Sequence, residues 1–142
     1  MEKTKVIVGL GSCGIAAGAN KTYDKIKQLQ EVENLDIELK KTSCIGMCFR
    51  EPLVEIVDET GSYIYGNVDE DRVVEVLEKH VVNHEPVKEL VVKTDLFETV
   101  DHNFFDDQVK IALRHCGYID PESIEEYEAL QGYDAVKKIA DE

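Results

Sequence analysis

The strongest constraint on this chain lies between Lys5 and Lys40, where two short strand-like runs bracket one amphipathic stretch. Lys5 to Gly9 is apolar and β-branched, and the glycine-rich turn Gly9-Leu10-Gly11-Ser12-Cys13-Gly14 stops it, so it reads as a strand running into a loop. From there Ile15, Ala19, Tyr23, Ile26 and Leu29 recur at helical spacing, with Lys21, Asp24, Lys25, Lys27 and Gln28 between them. The spacing predicts one amphipathic helix ending near Val32 to Asn34. Leu35, Ile37 and Leu39 then alternate with Asp36, Glu38 and Lys40, the period of a strand with one buried face. Strand, helix and strand in that order close as a right-handed parallel crossover, which commits the chain to an α/β sheet.

The loop from Thr42 to Pro52 carries Cys44 and Cys48 and leads into Leu53 to Val57, then Tyr63 to Tyr65. Asp58-Glu59-Thr60-Gly61 supplies turn chemistry between these runs and predicts a β-hairpin, which adds antiparallel strands to the sheet. Asp69 is placed to cap a helix whose apolar stripe is Val73, Val76, Leu77, His80 and Val81, with His80 read as a half-buried helix residue. The expected order is β-α-β-β-β-α in a mixed sheet, with both cysteine-bearing loops at strand ends on one edge. At Asn83-His84-Glu85-Pro86 the periodicity breaks, which predicts a domain over residues 1–82 and an extended arm from 83 onward. In that second part, 83–142, Gln108 to Leu113 reads as a strand. Asp120-Pro121-Glu122-Ser123 reads as a helix start capped by Asp120, and Gly132 separates that helix from another beginning at Tyr133.

Composition narrows the function. The chain of 142 residues holds 30 acidic against 16 basic residues, a formal net charge of -14, which opposes a polyphosphate backbone unless the cations cluster. The nearest candidate, Lys40-Lys41, is a solvated strand end, so nucleic acid is excluded as a partner. No apolar run approaches the length of a membrane span, and the N-terminus lacks the apolar core of a secretory leader. The expected compartment is the cytoplasm, where cysteines serve as metal ligands or redox thiols more often than in structural disulfides.

The chain has 4 cysteines. Cys44 and Cys48 stand close enough to share an iron ion if the backbone curls, and Gly46 between them permits the curl. Cys13 follows the first strand at the start of a helix, whose free N–H groups favour a thiolate. Read from spacing alone, the pair could equally be buried small hydrophobes.

Val8 to Ala19, Thr42 to Cys48 and Pro52-Leu53-Val54 together resemble the thioredoxin-like [2Fe-2S] ferredoxins. The likeness is to the form fused to the N-terminus of the NADH-binding flavoprotein subunit of complex-one relatives and bifurcating hydrogenases. Leu113 to Tyr127, with Gly132 to Ala135, is similar to the segment that opens that subunit's flavin domain. The resemblance implies a thioredoxin-like ferredoxin domain followed by the opening of a flavoprotein subunit. It also implies a [2Fe-2S] cluster held by Cys44 and Cys48, with Cys13 carried over by proximity. FMN and NADH belong to a domain downstream of Glu142, which implies a chain cut from a longer one.

Two departures stand beside the likeness. The family's first loop usually carries a C-x4-C pair, and Gly9 and Gly14 occupy the matching positions here, so the fourth ligand is unassigned. Cys116, where the flavin segment begins, is read as a buried structural thiol. Gly9-x-Gly11-x-x-Gly14 matches a dinucleotide fingerprint in form, but the repeated parallel architecture that would support one is absent.

Three functions are compatible with these features. The first is an electron-transfer domain of an NADH-linked oxidoreductase, with a cluster beside a flavin on a neighbouring domain or subunit and no complete active site of its own. The second is a clusterless docking module of the same kind of complex. The third is a thiol-disulfide oxidoreductase using Cys13, weakened by the lack of a C-x-x-C pair. Phe97, Phe104, Phe105, Ile111 and Tyr127 are expected to pack on a flavoprotein, and in its absence to expose apolar surface or drive self-association.

Overall fold

The computed structural model describes residues 3–106 and 108–141. The β-branched run becomes strand β1, Thr4–Gly9, with Val6 and Val8 fully buried on one face. The helical stretch divides into α1, Ser12–Ala16, and α2, Ala19–Glu33, where one continuous helix is the sequence expectation. The break falls at Gly18, whose φ of 100° only glycine adopts without strain. Because α1 is a separate turn, Ile15 leaves the buried stripe and stands 48% exposed, while Ala19 and Ile26 of α2 are fully covered.

Strand β2, Ile37–Thr42, pairs parallel with β1 from Thr4↔Ile37 to Gly9↔Thr42, completing the crossover. A 3₁₀ turn, Cys48–Arg50, then leads to β3, Val54–Val57, which runs antiparallel to β1, and to β4, Ser62–Tyr65, which forms the hairpin. Asp58 closes that hairpin as expected, its Oδ1 accepting the Thr60 and Gly61 N–H groups.

Helix α3, Arg72–Val76, continues as a wider π-type stretch, Leu77–Val82. Asp69 caps it, its Oδ1 accepting from the Asp71 and Arg72 N–H groups. Its apolar face meets α2 on the same side of the sheet, and Thr22 Oγ1 of α2 donates to the Val68 carbonyl at 2.8 Å. His80 is 1% exposed, more deeply buried than its sequence position suggests, because Tyr65 and Asp58 bind both ring nitrogens.

After residue 82 the chain returns to the sheet before its C-terminal part. A fifth strand, β5, Val91–Thr94, pairs antiparallel with β4 through a bulge at Ile64/Tyr65, giving the order β2-β1-β3-β4-β5. Val87 and Val91 join the core with Val6, Val8, Ile56, Tyr65, Val73 and Val76. The physical reason is that β4 would otherwise present an unpaired edge, and the apolar run at Val91-Val92 satisfies it.

On the other face of the sheet Met47, Leu53 and Val92 form a second cluster with Ile45, Ile64, Phe104 and Phe105. These two aromatics therefore pack on the sheet and are half-buried, whereas Ile111 (77%) and Tyr127 (41%) are exposed as expected. Gln108 to Leu113 forms no strand and pairs with neither edge of the sheet. Two short helices come next, α4, Ile124–Ala129, and α5, Asp134–Ala140. Ser123 rather than Asp120 caps α4, its Oγ accepting the Glu126 N–H in a capping-box spacing. No helix among the described residues is long and apolar enough to cross a membrane.

Candidate metal centre

The parallel register of β1 and β2 brings two chain segments out of the sheet side by side, and Leu10 N–H donates to the Thr42 carbonyl at 2.8 Å just beyond their last pair. The loop after β1 then carries Cys13 into the first turn of α1, and the loop after β2 carries Cys44. Gly11 makes the approach possible, because a Cβ there would lie 2.9 Å from the Cys44 Cβ. Between Cys44 and Cys48 the chain reverses through Gly46 at φ 95°, and the Gly46 N–H donates to Cys44 Sγ at 3.3 Å.

The outcome is convergence of Cys13, Cys44 and Cys48, whose sulfurs all lie within 4.8 Å of one another. Cys44 Sγ and Cys48 Sγ are 3.5 Å apart, well beyond the ~2.0 Å of a disulfide, and all three are free thiols. The Cys48 thiol is pushed up to about 12, first by hydrogen bonding to Cys13 and then to Cys44, with desolvation adding to both. Sulfurs this close resist simultaneous ionisation, and a bound cation removes that resistance by replacing the shared protons. Three thiolates form a soft donor set of the kind that selects iron-sulfur centres, zinc or cuprous ion over magnesium or calcium. Cys13 and Cys48 are exposed and Cys44 is half-buried, so the trio sits at the surface. Phe49 (57% exposed) and Ile15 (48%) stand beside it.

Cys116 does not join the trio. It is half-buried rather than buried, in an open pocket of about 570 Å³ on the tail side, where Ile45, Lys93, Phe105 and Lys110 also line the walls. The tail nonetheless grips the cysteine loop from outside. Lys110 Nζ donates to the Ile45 carbonyl at 2.9 Å, Thr42 Oγ1 donates to the Ile119 carbonyl at 3.0 Å, and Lys41 pairs with both Asp120 and Glu122.

Sequence reasoning passed over Glu51. It precedes Pro52 in a loop, a place that reads as solvent, yet it is 8% exposed. Its Oε2 accepts the Leu53 N–H at 2.9 Å, while Oε1 has no partner, and burial raises its pKa above the ordinary carboxylate value. Gly9 and Gly14 of the apparent dinucleotide fingerprint face this carboxyl group.

No family model matches the sequence. The NADP-reducing hydrogenase subunit HndB of Solidesulfovibrio fructosivorans is 32% identical over 91 residues, covering 63% of this chain and 72% of HndB. A [2Fe-2S] ferredoxin of Clostridium pasteurianum is 34% identical over 68 residues, 45% of this chain and 65% of that protein. A 32-residue segment is 56% identical to subunit HndC of the same hydrogenase, 22% of this chain but only 6% of HndC. Among solved structures, the thioredoxin-like [2Fe-2S] ferredoxin of Aquifex aeolicus superposes with a TM-score of 0.58 at 24% identity, over 66% of this chain and all of that one. With that fold, and with HndB matched over most of its own length, the chain belongs to the HndB family of hydrogenase subunits and has the thioredoxin-like ferredoxin fold.

Proposed function

We propose that this chain is an electron-transfer domain that holds a [2Fe-2S] cluster through Cys13, Cys44 and Cys48. The observation that carries the reading is the convergence of three free thiols within 4.8 Å on loops that the β1–β2 crossover sets side by side. The cluster would supply a one-electron carrier, and the chain's own residues supply the rest. Cys44 and Cys48 offer a sulfur pair 3.5 Å apart, the Gly46 N–H supports Cys44 Sγ, and the exposure of Cys13 and Cys48 leaves one side open to a redox partner. A clusterless docking module gives no reason for three sulfurs to converge.

Membership of a multi-subunit oxidoreductase follows from the likeness to HndB and HndC. In this reading the direct partner is a flavoprotein domain or subunit, reached through the residues that follow β5, and the compartment is the reducing cytoplasm. The exposed apolar residues Val109, Ile111, Leu113 and Tyr118 support a docking role for that segment, with FMN and NADH bound by the partner.

The test is anaerobic purification, followed by visible absorption and assays for iron and acid-labile sulfide. Two irons and two sulfides per chain with visible charge-transfer bands are the expected result. A colourless protein that takes up zinc but no iron or sulfide under reconstitution refutes the reading.

A further inference from the structure

We propose that Glu51 is the fourth ligand of the thiol site, so that the chain holds its cluster by three thiolates and one carboxylate. The inference rests on the cluster reading above and adds what that reading leaves open. A [2Fe-2S] core presents four terminal positions, and among the described residues three thiols converge.

The first observation is an unsatisfied group. Glu51 is 8% exposed, its Oε2 is engaged by the Leu53 N–H, and Oε1 is a buried side-chain oxygen with no hydrogen-bond partner. Burying a carboxylate oxygen without a donor or a cation is costly, and native structures rarely leave one so. An iron ion would satisfy it.

The second observation is place. Glu51 lies one short turn beyond Cys48, and its N–H donates to the Cys48 carbonyl at 3.4 Å. Its carboxyl group reaches back beneath the loop that carries Cys13. A Cβ built on Gly14, the neighbour of Cys13, would lie 3.0 Å from Oε2, and one built on Gly9 would lie 3.6 Å from Oε2 and 3.7 Å from Oε1. Both positions lack a side chain, and the Glu51 carboxyl stands where side chains from them would begin. It therefore borders the two segments that deliver Cys13 and Cys48.

The carboxyl oxygens are not among the atoms that lie within 4.8 Å of one another. Ligation by Glu51 would therefore require its carboxyl group and the cysteine loops to close together as the cluster binds. The three thiols and Glu51, which borders the loop of Cys13 and follows Cys48, would supply the four terminal donors. An oxygen donor is chemically acceptable to iron, which takes carboxylate as well as thiolate and imidazole ligands. The competing candidate, Cys116, is held on the tail side of Ile45, where Gly117 packs against the Ile45 side chain.

The experiment is anaerobic reconstitution of the full chain with ⁵⁷Fe and sulfide, followed by Mössbauer and visible spectra, for wild type, Glu51→Gln, Glu51→Ala, Glu51→Cys and Cys116→Ser. Far-UV circular dichroism of each apoprotein establishes folding. Wild type is expected to show two inequivalent ferric sites. Glu51→Cys should bring the two together as sulfur-ligated sites with red-shifted absorption, Glu51→Gln and Glu51→Ala should lose iron on desalting, and Cys116→Ser should match wild type. If the alanine variant does not fold, the cysteine exchange decides through its spectral change. Wild-type spectra in every Glu51 variant, or loss of the cluster in Cys116→Ser, overturns the Glu51 assignment and leaves the cluster reading standing. Failure of wild type to take up iron and sulfide overturns both.

Discussion

Removing a single oxygen atom from the core, in Tyr65→Phe, probes the polar network at the end of the sheet away from the cysteines. Tyr65 is fully buried, and its hydroxyl lies 2.6 Å from His80 Nδ1, while His80 Nε2 lies 3.0 Å from Asp58 Oδ2. One neutral tautomer satisfies every group: Tyr65 O–H donates to Nδ1, and Nε2–H donates to the Asp58 carboxylate. Phenylalanine keeps the ring and deletes the donor, which leaves Nδ1 buried and unpaired. A lost net hydrogen bond and one stranded acceptor together cost about 2 kcal/mol. For a folded unit of this size that lowers Tm by roughly 8 to 16 °C.

The network also fixes the sign of the pH dependence. Burial holds the His80 pKa below its ordinary value, against the opposing pull of Asp58, and His84 adds a smaller push in the same downward direction. The unfolded chain therefore binds a proton at His80 more readily than the folded one. Its contribution to stability is complete above about pH 6.5 and is lost as pH falls from there through the lower folded value. Asp58 is also held low, with its hydrogen bonds to Thr60 and His80 overcoming desolvation, so its contribution disappears in the same direction at more acid pH. Thermal melts followed by far-UV circular dichroism between pH 3 and pH 8 measure both effects. Wild type should gain stability with rising pH, and Tyr65→Phe should melt lower with a shallower slope. A variant that melts within about a degree of wild type, with an unchanged slope, would refute the network as a source of stability.

Cys44→Ser and Cys48→Ser should each abolish visible iron-sulfur absorption, because each removes one of three converging thiols; an undiminished iron and sulfide content in either variant defeats the assignment. Gly11→Ala should keep the fold but reduce iron uptake, since its Cβ would lie 2.9 Å from Cys44 and force the two loops apart; equal uptake would show that the trio tolerates that shift. Limited proteolysis should leave a stable fragment that ends beyond Thr94, and a stable fragment ending before Val91 would show that β5 is dispensable. Light scattering should report a mass that rises with concentration, through exposed Val109, Ile111 and Leu113; a strictly monomeric chain would remove the support these residues give to docking.

The parts legible in the sequence were those in which one physical signal acted alone. Alternation along Leu35 to Lys40 located β2, and Asp58 to Gly61 located the hairpin, because a buried face and a tight turn each leave a local pattern. Strand β5 was hidden for the opposite reason. Its four residues, Val91–Thr94, come after Pro86 without alternation, and their identity as a strand comes from the open edge of β4, which no local window contains. Gln108 to Leu113 shows the same dependence in reverse, a strand-like run that pairs with neither edge of the sheet. The cysteine trio was partly legible, since parallel strands place their following loops together. The burial of Glu51 was not, because it depends on Gly9 and Gly14 lying across from it in space.

Those same parallel strands explain why the site also joins the sheet to the C-terminal tail. The registers Val8↔Lys41 and Gly9↔Thr42 set the loop of Cys13 and the loop of Cys44 at one level of the sheet. From the helix side, α1 takes up the first loop and the Glu51 carboxyl borders it. From the tail side, Lys110 holds the Ile45 carbonyl and Ile119 receives the Thr42 hydroxyl, so the second loop is tied to residues beyond the sheet. Ile45 adjoins Cys44, and a displacement of the tail is therefore felt one residue from that cysteine. A partner that engages the tail's exposed apolar residues would act on the segment that braces Cys44, which couples docking to the environment of the site through contiguous contacts. The tail's acidic residues Asp120 and Glu122 reinforce this at Lys41, but that pairing is partly exposed and weakens with salt, whereas the Lys110 and Thr42 contacts end on backbone carbonyls. Those two hydrogen bonds are thus the firmer polar link between the tail and the cysteine loop.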